Sequence, residues 1–233
     1  MSETERVRRR YANRASKGFP AYDPLDPSVY LPAQELERAL IRWINVCGLR
    51  PVGTKTLLEV GCGVGDQLLR LILLGFSPDR LVGYELLPDR AAVARQRLPS
   101  STQIVCEDAA SAKLEEESFD VVLQSTVFTS LLDDAFQEQL AAHMWSLVTP
   151  GGGVLWYDFI FNNPRNPDVR GVPVKRIREL FPASSIKIWR LTLAPPLSRK
   201  ATALHPSFYS LLSHVPLLRT HRLAWIEKPV EDS

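Results

Sequence analysis

Short apolar runs alternate with longer amphipathic runs over most of the chain, and no other feature constrains the fold as strongly. Thr56–Val60, Arg80–Glu85, Thr102–Cys106, Phe119–Leu123, Gly153–Phe159, Ile186–Leu193 and Thr220–Glu227 have the length and apolar character of strands. Between or after them, Asp66–Leu74, Pro88–Leu98, Asp134–Leu147, Val174–Leu180 and Pro206–His214 carry helical spacing. Strand-then-helix order at this spacing implies βαβ units and a mostly parallel sheet covered on both faces. Upstream, Leu36, Leu40, Ile44 and Cys47 mark a helix from Pro32 that ends at Gly48 and Pro51. Residues 1–30 are charged and then proline-rich, which predicts a short helix and an extended arm. Asp134 with Gln137 three positions on forms a capping-box pattern at a helix start.

Length and charge narrow the class further. The 233 residues suit one α/β domain, with 1–50 as an N-terminal arm and 51–233 as the main body. A net charge of +2 is too mild to imply a nucleic-acid partner, and Arg6, Arg8, Arg9 and Arg10 read as a solvated helix face. Cys47, Cys62 and Cys106 are too scattered for a metal cluster, so no metal is expected and reduced thiols point to the cytoplasm. No apolar stretch reaches the roughly 20 residues of a membrane helix. The N-terminus lacks an apolar secretory core. Oligomeric state is not readable from any of this.

The strongest local signal is Leu57-Leu58-Glu59-Val60-Gly61-Cys62-Gly63-Val64-Gly65-Asp66, a buried strand running into three alternating glycines and then a helix. Glycine permits positive φ and leaves no Cβ between backbone and ligand. The helix that follows offers unpaired N–H groups to an anionic group. Glu85, at the end of the next strand and twenty positions after Gly65, can accept hydrogen bonds from both ribose hydroxyls of an adenosine ligand. A phosphate-binding P-loop needs Lys-Ser or Lys-Thr after its last glycine, where this chain has Asp66-Gln67. A dinucleotide site wants G-x-G-x-x-G around a pyrophosphate. Here the spacing is G-x-G-x-G, and Glu59 beside the turn would repel a pyrophosphate but tolerate the ammonium and sulfonium charges of S-adenosylmethionine (SAM).

Leu58–Asp66 resembles motif I of class I SAM-dependent methyltransferases, and Leu81–Glu85 resembles their second motif. Phe119–Leu123 is similar to their fourth strand, and Leu147–Gly152 to the turn before their fifth. The resemblance covers residues 55–160 in order. It implies a Rossmann-like, doubly wound α/β sheet of seven mostly parallel strands with a reversed last hairpin, helices on both faces and an N-terminal helical lid. It also implies SAM as cofactor. By position, Glu59, Gly61, Cys62, Gly63 and Gly65 would surround the methionine portion. Glu85 would hold the ribose, Leu86 would lie against the adenine, Asp108 would meet its amino group, and Ala109 would supply a backbone contact. Gln124 and Ser125 would face the sulfonium, with Tyr11 and Arg14 contributed by the lid.

The acceptor belongs above the fourth and fifth strand ends, which brings in Thr126, Phe128, Tyr157, Asn163 and Arg165 as substrate-binding candidates. The Asp-Pro-Pro-Tyr motif of DNA-adenine enzymes is absent there, and so is a carboxylate cluster of the metal-dependent kind. Asp158 is the first choice for a proton acceptor or orienting group, with loop ordering through Arg165 or Arg170 as the equal alternative. His205, beside Pro206 in a connecting segment, is the histidine to consider as a base. Residues 155–222 also resemble a bacterial methyltransferase-like group that carries Tyr-Asp-Phe, Asn-Asn-Pro and Leu-Ala-Pro-Pro-Leu segments, some members of which accompany glycan or specialised-metabolite synthesis. The expectation is O-methylation of a small polar metabolite or glycan. The alternatives are a non-catalytic SAM- or nucleoside-binding module and an NAD-dependent oxidoreductase.

Overall fold

The structure is a computed structural model that describes residues 1–16, 23–164, 166–182 and 184–230, with only the backbone at 14–16. Seven strands form one sheet: β1 (Leu57–Val60), β2 (Leu81–Tyr84), β3 (Gln103–Val105), β4 (Phe119–Ser125), β5 (Val148–Phe159), β6 (Ser185–Leu193) and β7 (Arg219–Glu227). Their spatial order is β3-β2-β1-β4-β5-β7-β6. Six strands share one direction, while β7 lies antiparallel between β5 and β6. This is the expected Rossmann-like sheet with a reversed final hairpin. The order reverses between β1 and β4, which places a crevice at their carboxyl ends.

Strand alternation sorts the core into two layers. Leu57, Leu81, Val121, Leu123, Leu155, Leu223 and Trp225 face one side. There they meet α2 (Pro27–Val46), α3 (Asp66–Leu73) and α4 (Pro88–Arg97) through Trp43, Leu68, Leu71, Ala91 and Ala94. Leu58, Val122, Val154, Trp156, Ala224 and Ile226 face the other, against α5 (Asp134–Leu147) and α6 (Val174–Leu180). Trp43 is enclosed, 5.5 Å from Trp225 and 6.4 Å from Phe76 between ring centres.

Three local expectations are corrected. The second helix starts at Pro27, capped by Asp26, whose carboxylate accepts from the Ser28 N–H at 2.7 Å; Pro32 lies inside it. A proline this near the N-terminus forfeits few intrahelical bonds, so the turn signals at 23–27 are the cap itself. The cap of α5 is Asp133, accepting from Phe136 N–H at 3.1 Å. Asp134 is already helical, and Gln137 Nε2 instead donates to the Phe128 and Leu131 carbonyls. Finally, the β6–β7 connection carries two helices, α7 (Pro195–Leu204) and α8 (Ser207–Ser213), where sequence reading found only the second. Pro195 and Pro196 open α7 at positions where a missing N–H costs nothing.

Candidate active site

The glycine turn adopts the backbone its sequence demands. Gly61, Gly63 and Gly65 have φ of +68°, +60° and +83°. A Cβ on Gly61 would stand 2.6 Å from Val127 Cγ2, and one on Gly63 would stand 2.6 Å from Arg90. The loop is held by Glu85, whose Oε2 accepts from Gly63 N–H at 2.8 Å and whose Oε1 accepts from Leu87 N–H at 2.9 Å. A carboxylate has about four acceptor positions, so Glu85 retains capacity for further donors.

Beneath the loop, Glu59 is buried and its Oε2 has no partner. Burial pushes its carboxyl up to about 8, with Asp66 and Glu85 adding to the effect and Arg90 opposing it. A buried carboxyl with one oxygen unpaired, beside a bare backbone loop, suits a ligand that brings positive charge.

Above the switch point lies an open cleft with an enclosed volume of about 110 Å³. Its floor is Val60, Gly61 and Tyr84, and one wall is Glu85, Leu86, Leu87 and Arg90. Glu107, Asp108, Ala109 and Ala110 form the wall beyond β3, while Ser125, Thr126, Val127 and Ser130 form the wall beyond β4. Thr126 holds φ +58°, in the left-handed region that a β-branched residue rarely occupies, with its N–H donated to the Tyr157 carbonyl at 2.8 Å.

Helix α1 (Glu3–Ser16) roofs the cleft with Thr4, Val7 and Tyr11, spaced three and four apart on one helical face. Glu3 fastens it there: buried, it accepts from Leu132 N–H at 3.0 Å and Arg10 at 2.5 Å and pairs with Arg6 at 3.0 Å. Thr4 Oγ1 donates to Asp108 Oδ2 at 2.6 Å, and Arg10 donates to the Ser130 carbonyl at 2.8 Å. The Arg90 guanidinium stands 5.3 Å from the Tyr11 ring centre.

The expected cofactor residues Tyr11, Gly61, Glu85, Leu86, Asp108, Ala109 and Ser125, with the expected substrate residue Thr126, thus meet around one cleft. Others lie behind its wall. Cys62 points into the core, and Gln124 is buried on the α5 face, accepting from Val127 N–H at 3.1 Å. Phe128 packs 4.4 Å from Trp156. Tyr157 is half-buried, with its hydroxyl 2.9 Å from Thr192 Oγ1. Asp158 is buried under the β4–α5 loop, accepting from Thr129 N–H at 3.2 Å and Phe159 N–H at 3.1 Å. Burial pushes its carboxyl up to about 7, against those bonds. Arg170 pairs with Asp134 rather than with Asp158. His205 is exposed at the end of α7, its Nδ1 accepting from Ser207 N–H at 3.2 Å, and Asn163 lies on the exposed loop after β5. Arg165 and the Arg14 side chain lie outside the described residues.

Sequence reading missed Thr4, Val7, Arg90, Ser130 and Phe136. The three- and four-residue spacing of Thr4, Val7 and Tyr11 was the available signal for the roof. Arg90, one turn into the helix that follows Glu85, was the signal for that wall.

A Rossmann-like sheet with a reversed hairpin, a bare glycine turn and a carboxylate one strand over give residues 57–152 the architecture of a class I SAM-dependent methyltransferase domain, whose cofactor is SAM. Residues 57–152 match the family model described as a methyltransferase domain. Two curated relatives match at 26% identity over 114 residues, the tRNA N(3)-cytidine methyltransferases METTL2 of Mus musculus and Bos taurus. The match takes in 46% of this chain, which spans under a third of their length (29% and 30%). Among solved structures, geranyl diphosphate C-methyltransferase from Streptomyces coelicolor A3(2) aligns over 99% of this chain and 98% of its own, at TM-score 0.64 and 14% identity. A SAM-dependent methyltransferase from Archaeoglobus fulgidus aligns over 83% and 92%, at TM-score 0.60 and 16% identity.

Proposed function

We propose that the protein transfers the methyl group of SAM to an oxygen of a small polar acceptor, a metabolite or glycan, without a resident metal. The observation that carries the reading is the wall of the cleft at the carboxyl end of β4. Ser125, Thr126, Ser130 and Tyr11 present hydroxyls there, whereas the cleft's carboxylates, Glu85, Glu107 and Asp108, line the opposite end. A protonated amine would want a carboxylate at that wall; a neutral hydroxyl acceptor pairs with other hydroxyls as donor and acceptor at once.

SAM supplies an electrophilic methyl group. The chain supplies placement, which in the best cases is worth about 7–11 kcal/mol of barrier. Glu85 accepts the ribose hydroxyls, Glu59 faces the positive charge, and Asp108 and Ala109 meet the adenine. Roofing by α1 excludes water. Asp158 acts as a positioning residue, since its bond to Thr129 fixes the loop that carries Ser125–Ser130. Among the described residues no three His, Cys, Asp or Glu side chains converge as metal ligands. Cys47, Cys62 and Cys106 are free thiols, which supports a cytoplasmic setting.

The test is incubation with methyl-labelled SAM and an extract of the native host split into small-molecule and RNA fractions, with and without chelator. Label in the small-molecule fraction, insensitive to chelator, is the expected result. A second reading, methylation of a tRNA base nitrogen, is favoured by the identity of the curated relatives, and label confined to the RNA fraction would establish it instead. SAM binding with no labelled product in either fraction would leave a binding module. A larger thermal shift with NAD than with SAM would point to an oxidoreductase.

A further inference from the structure

The α7–α8 connection buries the wrong side of its helices for an ordinary surface segment. Its inward residues are small or polar: Ser198, Ala201, Thr202, Tyr209 and Ser213. Tyr209 anchors the segment by donating its hydroxyl to Glu35 Oε2 at 2.7 Å, and the base is closed by Ala194 N–H on the Leu218 carbonyl at 2.9 Å. Its outward side mixes cations and small polar groups with exposed apolar side chains: Leu197 and Leu204 on α7, Phe208 and Leu211 on α8, and Val215 and Leu217 in the turn before β7. Leu204 is 79% exposed, Leu211 64% and Leu217 85%. Scattered surface leucines need no explanation, but six exposed apolar side chains within one short segment over a small or polar inner face do.

Within the segment's own sequence the charge is one-sided. From Leu180 to Ile226 the sequence contains no Asp or Glu, while it carries Lys187, Arg190, Arg199, Lys200, Arg219 and Arg222. Of these, Arg190, Arg199 and Lys200 are exposed and have no ion pair among the described residues. Both β5 and β6 are antiparallel to β7, so β6 runs with β5 and ends at the carboxyl edge of the sheet. The connection therefore rises from the same edge as the cofactor cleft.

We propose that the α7–α8 connection is a docking surface for a bilayer containing anionic lipid. Leucine, phenylalanine and valine side chains inserted at the level of the headgroups, with Arg199, Lys200 and Arg190 against lipid phosphates, are the physical pattern of an interfacial amphipathic segment. A second copy of this chain fits less well, because face-to-face pairing would set Arg199 and Lys200 against their own copies. Nucleic acid fits less well too, since aliphatic side chains at the most exposed positions gain nothing from a phosphate backbone.

The test is co-sedimentation of the full chain with phosphatidylcholine vesicles, with and without phosphatidylglycerol. Binding to the phosphatidylglycerol vesicles is expected, falling at least about tenfold in Leu211→Asp and about tenfold in Arg199→Glu/Lys200→Glu. Both substitutions lie at exposed positions, and unchanged thermal unfolding checks that the fold survives. The proposal is overturned if the wild type ignores phosphatidylglycerol vesicles, or if the variants bind them equally well. It is overturned as well if Leu211→Asp instead abolishes a concentration-dependent dimer, or if tRNA binding is the property lost in the charge-reversed protein. None of these outcomes depends on the methyl acceptor.

Discussion

At the residue scale, two carboxylates beside the glycine turn have opposite fates. Glu85 is satisfied by two backbone N–H groups, whereas Glu59 is buried with an oxygen unpaired. Replacing Glu85 by Gln leaves the volume but swaps one acceptor for an amide that opposes the Gly63 or Leu87 N–H. Charge-assisted bonds of this kind are worth about 1.5–3 kcal/mol, so calorimetry of Glu85→Gln should show SAM affinity reduced by ten- to a hundredfold. A variant that binds SAM as the wild type does would remove Glu85 from the site. For Glu59, a carboxyl raised in the folded chain from 4.5 to about 8 keeps its proton there and loses it when unfolded. The folded state then binds more protons across that window, so stability is greatest at the acid end and declines as pH rises from 4.5 toward 8. Melting temperatures of Glu59→Gln should show a weaker decline than the wild type. Because SAM brings positive charge, its binding should expel the Glu59 proton, and titrations in buffers of different ionisation enthalpy should register that release.

At the element scale, α1 is attached chiefly through one buried side chain. Glu3 joins Arg6, Arg10 and the Leu132 N–H, so α1 rests on the loop that also forms the acceptor wall. Glu3→Ala leaves Arg10 with only the Ser130 carbonyl and the Leu132 N–H without its acceptor, a loss of about 2 kcal/mol concentrated in that contact. Hydrogen exchange should then rise throughout α1 while the amides of β1 and β4 stay protected. Uniformly faster exchange would mean that α1 is part of the cooperative core rather than a roof over the cleft. Asp158, on β5, holds the same loop through the Thr129 N–H. Asp158→Asn keeps the hydrogen-bonding shape and should lower kcat severalfold with SAM affinity intact. Loss of SAM affinity instead would move Asp158 into the cofactor's own support.

At the scale of the whole molecule, the sheet ties both helical layers into one core, and its centre is the place where a small loss is felt most. Leu155 is fully buried on β5 between β4 and β7. Leu155→Ala should cost about 2–5 kcal/mol in denaturant unfolding, while Leu211→Ala on the exposed segment should cost almost nothing. The strand pattern was legible because burial on both faces leaves continuous apolar runs, and the glycine turn because positive φ and close approach admit few other residues. The roof and α7 were harder to read. Helix α1 is too charged to show an apolar stripe, and α7 hides its inner face behind Ser198, Ala201 and Thr202. Asp158 and Gln124 were taken for cleft residues because the sequence places them at strand ends. Alternation along β4 and β5 turns them onto the α5 face instead. The sequence alone thus determined what local backbone rules and periodicity govern: the strands, their order of helices, the turn at Gly61–Gly65 and the acid one strand over. The tertiary structure decided which side of the sheet each strand-end polar group faces, what covers the cleft, and which apolar side chains are left in water. Those depend on contacts between residues far apart in the chain, such as Glu3 with Leu132 and Tyr209 with Glu35, and no short-range pattern encodes them.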